Sequence, residues 1–265
     1  ASAPTLYYYC TQHSGMGGQA NTNSTFGSSN FSGSIQSTVS ANTTSGFSIV
    51  SYTGVGGTNK TVGHGLGSTP QFIIIKPRSA TGHWSVTNPR FVSVSDPNML
   101  YLQLTSHEAD DTNVNGDNAP SSTIFGVDDY SAVNTNGQTQ IAYCMSEKKG
   151  YSKFGTYTGN GNADGTFVYT GFKPAWVMIK RTDGANSWQI IDNKRNSFNL
   201  SDKLLFPDLN DAEATSSGNA IDMLSNGFKC RGTGSSTNAS SGTYIYMAFA
   251  ESPFTNSNGI PTNAR

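Results

Sequence analysis

The 265-residue chain carries 16 Lys and Arg against 17 Asp and Glu, so its formal charge of -1 gives no electrostatic reason to expect nucleic acid or an anionic membrane surface as a partner. Charged residues make up 12% of the total, about half the usual share, while Gly contributes 29 residues and Ser, Thr and Asn crowd the polar remainder. Gly costs about 1 kcal/mol against Ala in a helix, and Asn, Ser and Thr divert their side chains to the backbone, so the composition predicts an all-β chain of about two domains. No apolar run approaches the roughly 18 to 20 residues of a membrane span, and the first residues lack the basic and apolar regions of a signal peptide; a soluble chain without membrane insertion is expected.

The first motif in the chain is Tyr7-Tyr8-Tyr9-Cys10-Thr11-Gln12-His13-Ser14-Gly15-Met16-Gly17-Gly18. An aromatic strand ending in Cys10, with His13 and Met16 at steps of three, resembles the C-terminal copper loop of cupredoxins. There a thiolate, an imidazole and a weak thioether hold the metal in a trigonal site. A complete site needs a second imidazole from an earlier strand, and only nine residues precede Cys10. The motif is therefore read as an incomplete site, a remnant strand of an upstream module, and no bound cofactor is expected. Residues 19–45 are almost wholly Asn, Ser, Thr, Gly and Gln, with Phe26, Phe31 and Ile35 as apolar anchors. Such a stretch cannot form a core alone. It is expected to be an extended arm that docks along a neighbouring subunit.

Downstream the chain repeats itself. Phe72-Ile73-Ile74-Ile75-Lys76, a polar turn and Trp84 recur as Trp176-Val177-Met178-Ile179-Lys180, a polar turn and Trp188, at a spacing of 104 (84 to 188). Gly67 and Pro70 match Gly171 and Pro174, Leu100 matches Leu204, and Ile141 and Glu147 match Ile245 and Glu251. Tyr52-Thr53-Gly54 matches Tyr157-Thr158-Gly159, and Phe125 matches Phe228, with drifts of one residue that belong to loops. A period near 100 residues is that of a whole β-sandwich rather than of a solenoid unit. The expected architecture is two tandem antiparallel, jelly-roll-like sandwiches over residues 46–150 and 151–265, preceded by the strand and arm of residues 1–45. Each copy should close on one buried central strand, Gln138 to Met145 and Thr243 to Ala250. A helix over Ala212 to Leu224 is opposed by Ser216, Ser217 and Gly218, and by a matching segment in the first copy that is rich in Asn and Asp.

Single residues weigh little for catalysis. His64, His83 and His107 occur alone in polar loops, without the paired spacing of a zinc or iron site, and read as surface histidines. Asp110-Asp111 and Asp128-Asp129 read as solvated acids, and no Gly-x-Ser-x-Gly elbow, phosphate loop or His-Glu-x-x-His segment occurs. Cys144 and Cys230 read as small buried hydrophobes. Trp84 with Trp188, Tyr52 with Tyr157, and Phe125 with Phe228 stand in phase, the pattern of core packing. A sugar platform is better sought among aromatics that do not recur in both copies, such as Tyr101, Tyr130 and Tyr169. Lys76 and Lys180 should snorkel at strand ends.

Two longer stretches carry a resemblance. Gly46-Phe47-Ser48-Ile49-Val50-Ser51-Tyr52-Thr53-Gly54, followed by Val62-Gly63-His64-Gly65-Leu66-Gly67 and Pro70, resembles the opening of a repeat in long virion proteins of marine bacteriophages. Gly150 to Gly161 and the closing Tyr244-Ile245-Tyr246-Met247-Ala248-Phe249-Ala250-Glu251-Ser252-Pro253-Phe254 are similar to its second copy. The resemblance implies a non-enzymatic structural or attachment role on the particle surface, as a tail fibre, spike or capsid-fibre component. Its partners would be copies of itself, other virion proteins and a host surface glycan. The rival expectation is a secreted or cell-surface carbohydrate-binding module. The resemblance supplies no ligand-binding residues.

Overall fold

The computed structural model describes residues 6–9, 17–20, 27–87, 98–110, 118–253 and 255. Among them the chain is built from strands, with one short 3-10 turn at Ser217–Asn219. The first half contains β1 (Leu6–Tyr9), β2 (Gly17–Ala20), β3 (Ser28–Asn30), β4 (Ser37–Asn42), β5 (Phe47–Thr53), β6 (Lys60–Gly63), β7 (Phe72–Pro77), β8 (Ser85–Thr87), β9 (Asn98–Tyr101), β10 (Ala109–Asp110), β11 (Ile124–Val127) and β12 (Thr139–Met145). The second contains β13 (Ser152–Thr158), β14 (Phe167–Tyr169), β15 (Pro174–Arg181), β16 (Gln189–Asp192), β17 (Lys203–Leu204), β18 (Ala214–Thr215), β19 (Ile221–Leu224), β20 (Gly227–Cys230) and β21 (Thr243–Ala250).

One pairing pattern is used twice. In the first half an eight-stranded sheet runs β10-β9-β8-β7-β12-β5-β4-β3, faced by the pair β11-β6. In the second half β13-β21-β15-β16 repeats the order β5-β12-β7-β8, an Ile190–Leu205 bridge carries it on to β17 and β18, and β14-β20-β19 faces it. The registers agree in detail: Thr139 lies opposite Thr53 as Thr243 lies opposite Thr158.

Strand alternation then assigns each side chain to a layer. On β7 and β12, Ile73, Ile75, Ala142 and Cys144 face the small sheet, in a core with Val50, Val62 and Phe125. On β15 and β21, Val177, Ile179, Tyr244 and Tyr246 do the same with Ile191 and Phe228. The opposite faces meet each other. Phe72, Val86, Leu100 and Met145 of the first half pack with Phe154, Met178, Trp188, Ile245 and Met247 of the second in one apolar cluster. The result is four layers, small sheet, large sheet, large sheet, small sheet, with apolar material in all three gaps. The central strands β12 and β21 are covered on both faces, which is why their sequences run with so few polar interruptions.

The expected extended arm is corrected from residue 27 onward. β3 and β4 form a hairpin that pairs on β5 within the same chain, Thr38 opposite Ser51 and Ser40 opposite Ile49. Ile35 and Val39 are buried in the first core, so the boundary drawn at residue 45 falls inside a sheet. These two side chains suffice because every second residue of β4 faces solvent and can be Ser, Thr or Asn.

A tyrosine latch closes both halves. Tyr52 donates its hydroxyl to Val133 O at 2.7 Å, and Tyr157 donates to Thr237 O at 2.7 Å. The next residue in each case is a buried Asn: Asn134 Oδ1 accepts from Val55 N–H at 3.0 Å and Asn238 Oδ1 accepts from Asn160 N–H at 2.9 Å. Gly54 and Gly159 sit beneath these loops, where a Cβ would come within 2.4 Å of the carbonyl oxygens of Thr135 and Ala239.

Candidate interaction surface

The sequence-derived candidates scatter rather than converge. Cys10, His13 and Met16 lie outside the described residues, as does Asp111. Among the described residues no group of three His, Cys, Asp or Glu is placed to hold a metal ion.

His64 is corrected from a surface residue to a buried one. Its Nδ1 accepts from Leu66 N–H at 3.2 Å and its Nε2 donates to Ser121 O at 3.1 Å, so the ring is neutral and fixed in one tautomer. Burial lowers its pKa below the usual imidazole value, opposed by the bond to Ser121. The second half shows that this is a turn device. There Thr170 Oγ1 accepts from Phe172 N–H at 3.4 Å in the same two-residue loop after the strand.

His83 lies against Tyr101, ring centroids 4.4 Å apart, and bonds Gln103; His107 is exposed. Asp128, expected in solvent, is buried, and its carboxylate holds the loop by accepting from Asn59 N–H at 3.1 Å and Asp129 N–H at 2.8 Å. Tyr101 and Tyr130 share a hydroxyl contact of 2.7 Å and pack on the first core, which withdraws them as a sugar platform. Trp188 is buried and Trp84 only partly so, its ring near-parallel to Tyr143 at 6.5 Å. Cys144 and Cys230 are both buried, and burial raises both thiol pKa values, Cys230 to about 11, so neither is a nucleophile near neutral pH.

Lys180 is the sharpest departure. Lys76 keeps a partly exposed position and donates to Gly82 O at 2.8 Å, as a strand-end lysine should. Lys180 is instead fully buried between the halves, donating to Thr105 O of the first half at 2.8 Å and to Asn186 O. Burial lowers its pKa to about 8, with the nearby Asp208 acting against the shift. Asp208 in turn accepts from Trp188 N–H at 3.1 Å, while Trp188 Nε1 donates to Tyr101 O at 2.9 Å. This polar cluster ties the 101–108 segment of the first half onto the second, with Glu108 N–H donating to Thr182 O and Asn186 N–H donating to Thr105 O, each at 2.9 Å.

One open feature of the second half carries an exposed aromatic. A cleft of about 430 Å³ lies between the start of β13 and the end of β14, lined by Glu147, Lys149, Ser152, Lys153, Tyr169 and Thr170. Glu147 accepts from Phe154 N–H at 3.0 Å and pairs with Lys153 at 2.8 Å. Tyr169 is 64% exposed on one wall and Phe167, also on β14, 44%. In the first half the position of Tyr169 is held by Gly63, where a Cβ would come within 2.2 Å of Asn30 Oδ1, because the β3–β4 hairpin crosses there. Of the three tyrosines singled out by sequence, only Tyr169 is thus available to a partner. Sequence reasoning passed over Asn134 and Asn238, although their shared phase at a spacing of 104 (134 to 238) was the signal.

The comparisons with known proteins fit this duplicated architecture to a family. Residues 20–253 match the family described as "Domain of unknown function (DUF7483)". The chain belongs to that family. The match begins ahead of the β3–β4 hairpin and runs through β21, so the DUF7483 unit takes in the hairpin and both sandwich halves. No curated protein and no solved structure matches the chain.

Proposed function

We propose that this DUF7483 protein is a non-enzymatic structural component of a bacteriophage particle, a tail fibre, spike or capsid-fibre module exposed on the virion surface, with a role in host attachment. The observation that carries the reading is the shared apolar layer. It joins two copies of one sandwich into a single four-layer body, the construction suited to an appendage that holds its shape outside a cell. Polar groups of the interior are spent on fixing loops, as with His64, Asp128, Asn134 and Asn238, and on docking the halves, as with Lys180. Apolar groups left outside, among them Phe47, Ile49, Phe167 and Tyr169, are contact surface for further copies of the chain and for other virion proteins. The resemblance of the two repeat openings to marine phage virion proteins points the same way.

The cleft beside Tyr169 favours one second reading, a carbohydrate-binding or adhesion module, since an exposed ring flanked by Glu and Lys side chains is a surface that stacks on a sugar face and takes its hydroxyls. Mass spectrometry of purified particles, with antibody labelling against the recombinant chain, tests the first reading; absence of the chain from particles refutes it. A glycan array with the wild type and Tyr169→Ala tests the second, which requires binding that the substitution removes.

A further inference from the structure

The two halves end their sheets differently. In the first, one stretch of chain stitches both edges together: Ile35 N–H donates to Thr61 O at 2.9 Å beside β6, Ser37 Oγ donates to Gly63 O at 2.8 Å, and Thr38 to Asn42 pair with β5. The corresponding strands of the second half, β13 and β14, are both terminal in their sheets, β13 bonded to β21 alone and β14 to β20 alone among the described residues. Glu147 closes the first part of the β13 edge by taking Phe154 N–H, and Thr166 Oγ1 donates to Thr158 O at 2.8 Å at the far end. Between them the backbone around Thr156 stands open, at the place where Ser51 pairs with Thr38 in the first half. Thr156 is exposed, and the cleft with Tyr169 on its wall opens at the start of the same strand, beside Ser152 and Lys153.

The chain also holds a piece without a sheet to join. β1 and β2 are bonded only to each other among the described residues, Leu6 opposite Ala20 through Tyr9 opposite Gly17. An isolated two-stranded hairpin is marginal in water and gains stability by adding to a larger sheet. The first half is completed by a hairpin of the same kind, β3–β4. Resting on the self-associating reading above, we propose that the β1–β2 hairpin of one copy adds to the β13 edge of a neighbouring copy and covers Tyr169 and Phe167. The second half of each copy is then finished in trans as the first is finished in cis, by backbone hydrogen bonds for affinity and a buried aromatic pair as anchor. The near-neutral chain raises no long-range charge barrier to this contact.

The test uses the full chain. Light scattering over about 1 to 100 µM, the range in which ordinary protein contacts form, is expected to show mass above the monomer that rises with concentration. Thr156→Pro removes the outward N–H and Thr156→Lys places a charge on the edge; each is expected to weaken association about tenfold or more. Both lie at an exposed edge position, so the melting temperature of the dilute protein is expected to change little, and Thr156→Lys stands if the proline variant fails to fold. A synthetic peptide of residues 5–21 in excess is expected to return the wild type to monomer. A monomer at every concentration, association untouched by Thr156→Lys, or a peptide without effect overturns the proposal. An assembly in which the Thr156 and Thr158 amides stay unprotected from hydrogen exchange also overturns it, while leaving the virion reading intact.

Discussion

Replacing Trp188 by Ala probes the shared layer directly. The indole is 1% exposed, packs among residues of both halves and donates to Tyr101 O at 2.9 Å. Truncating a buried Trp costs about 3–5 kcal/mol through lost burial and the void left behind. Loss of the indole bond adds about 1 kcal/mol, a modest figure because Tyr101 O keeps a longer bond from Leu104 N–H at 3.3 Å. At roughly 2–4 °C per kcal/mol for a chain of this size, a loss of about 4–6 kcal/mol lowers the melting temperature by roughly 8–24 °C. Trp188→Phe keeps most of the apolar area and is expected to cost about 1–2 kcal/mol. Trp84→Ala, at the matching but partly exposed position, is expected to cost under about 2 kcal/mol. Urea unfolding followed by far-UV circular dichroism measures all three. Equal losses at positions 84 and 188, or a loss under about 1.5 kcal/mol at 188, refute the idea that the halves are fused through this layer.

Other outcomes follow from the same geometry. His64 is held neutral with a lowered pKa, so the unfolded chain binds its proton first. Stability from this residue is present above the ordinary value near 6.5 and is lost as pH falls below it. His64→Thr, which copies the Thr170 turn of the second half, should remove that dependence from urea midpoints compared at about pH 7.5 and 5.5. Lys180 has a dependence of the same sign, shifted to high pH. Its charged form is penalised in the folded state, so the wild type should gain stability relative to Lys180→Met as pH rises from about 8 towards the usual lysine value, read as a difference of midpoints at about pH 7.5 and 9.5. Gly63→Ala forces a Cβ against Asn30, and hydrogen exchange should show the β3–β4 amides losing protection while β13 and β21 keep theirs. Glu147→Ala frees Phe154 N–H, lengthens the open edge and should increase self-association by light scattering.

The duplication was legible because it rests on large side chains whose phase survives loop changes. Tyr52 and Tyr157, Phe125 and Phe228 occupy the same places in the two cores. The shared layer was not legible. A strand such as Phe72-Ile73-Ile74-Ile75 is apolar on both faces, and sequence says that both are covered without saying by what. Lys180 illustrates the consequence. Its counterpart Lys76 ends in a half-exposed position, and only the Thr105 carbonyl arriving from the other half makes the second lysine an interior group. The β3–β4 hairpin escaped notice for a different reason, since a strand with one buried face and small polar residues on the other needs only Val39, with Ile35 just ahead of it, to hold its register. His64 misled because an imidazole in a Gly-rich loop has the same local sequence whether it faces water or caps a turn. The open β13 edge could not be found at all without the first half as its template.

Two sandwiches strung on a flexible linker would bend where they meet and peel apart one after the other under load. Here the inner faces of both share a single apolar seam, crossed by the Lys180 and Trp188 bonds. A pull applied at opposite ends of the body must shear that seam as a whole before either copy can swing, so the pair should yield in one mechanical event rather than two.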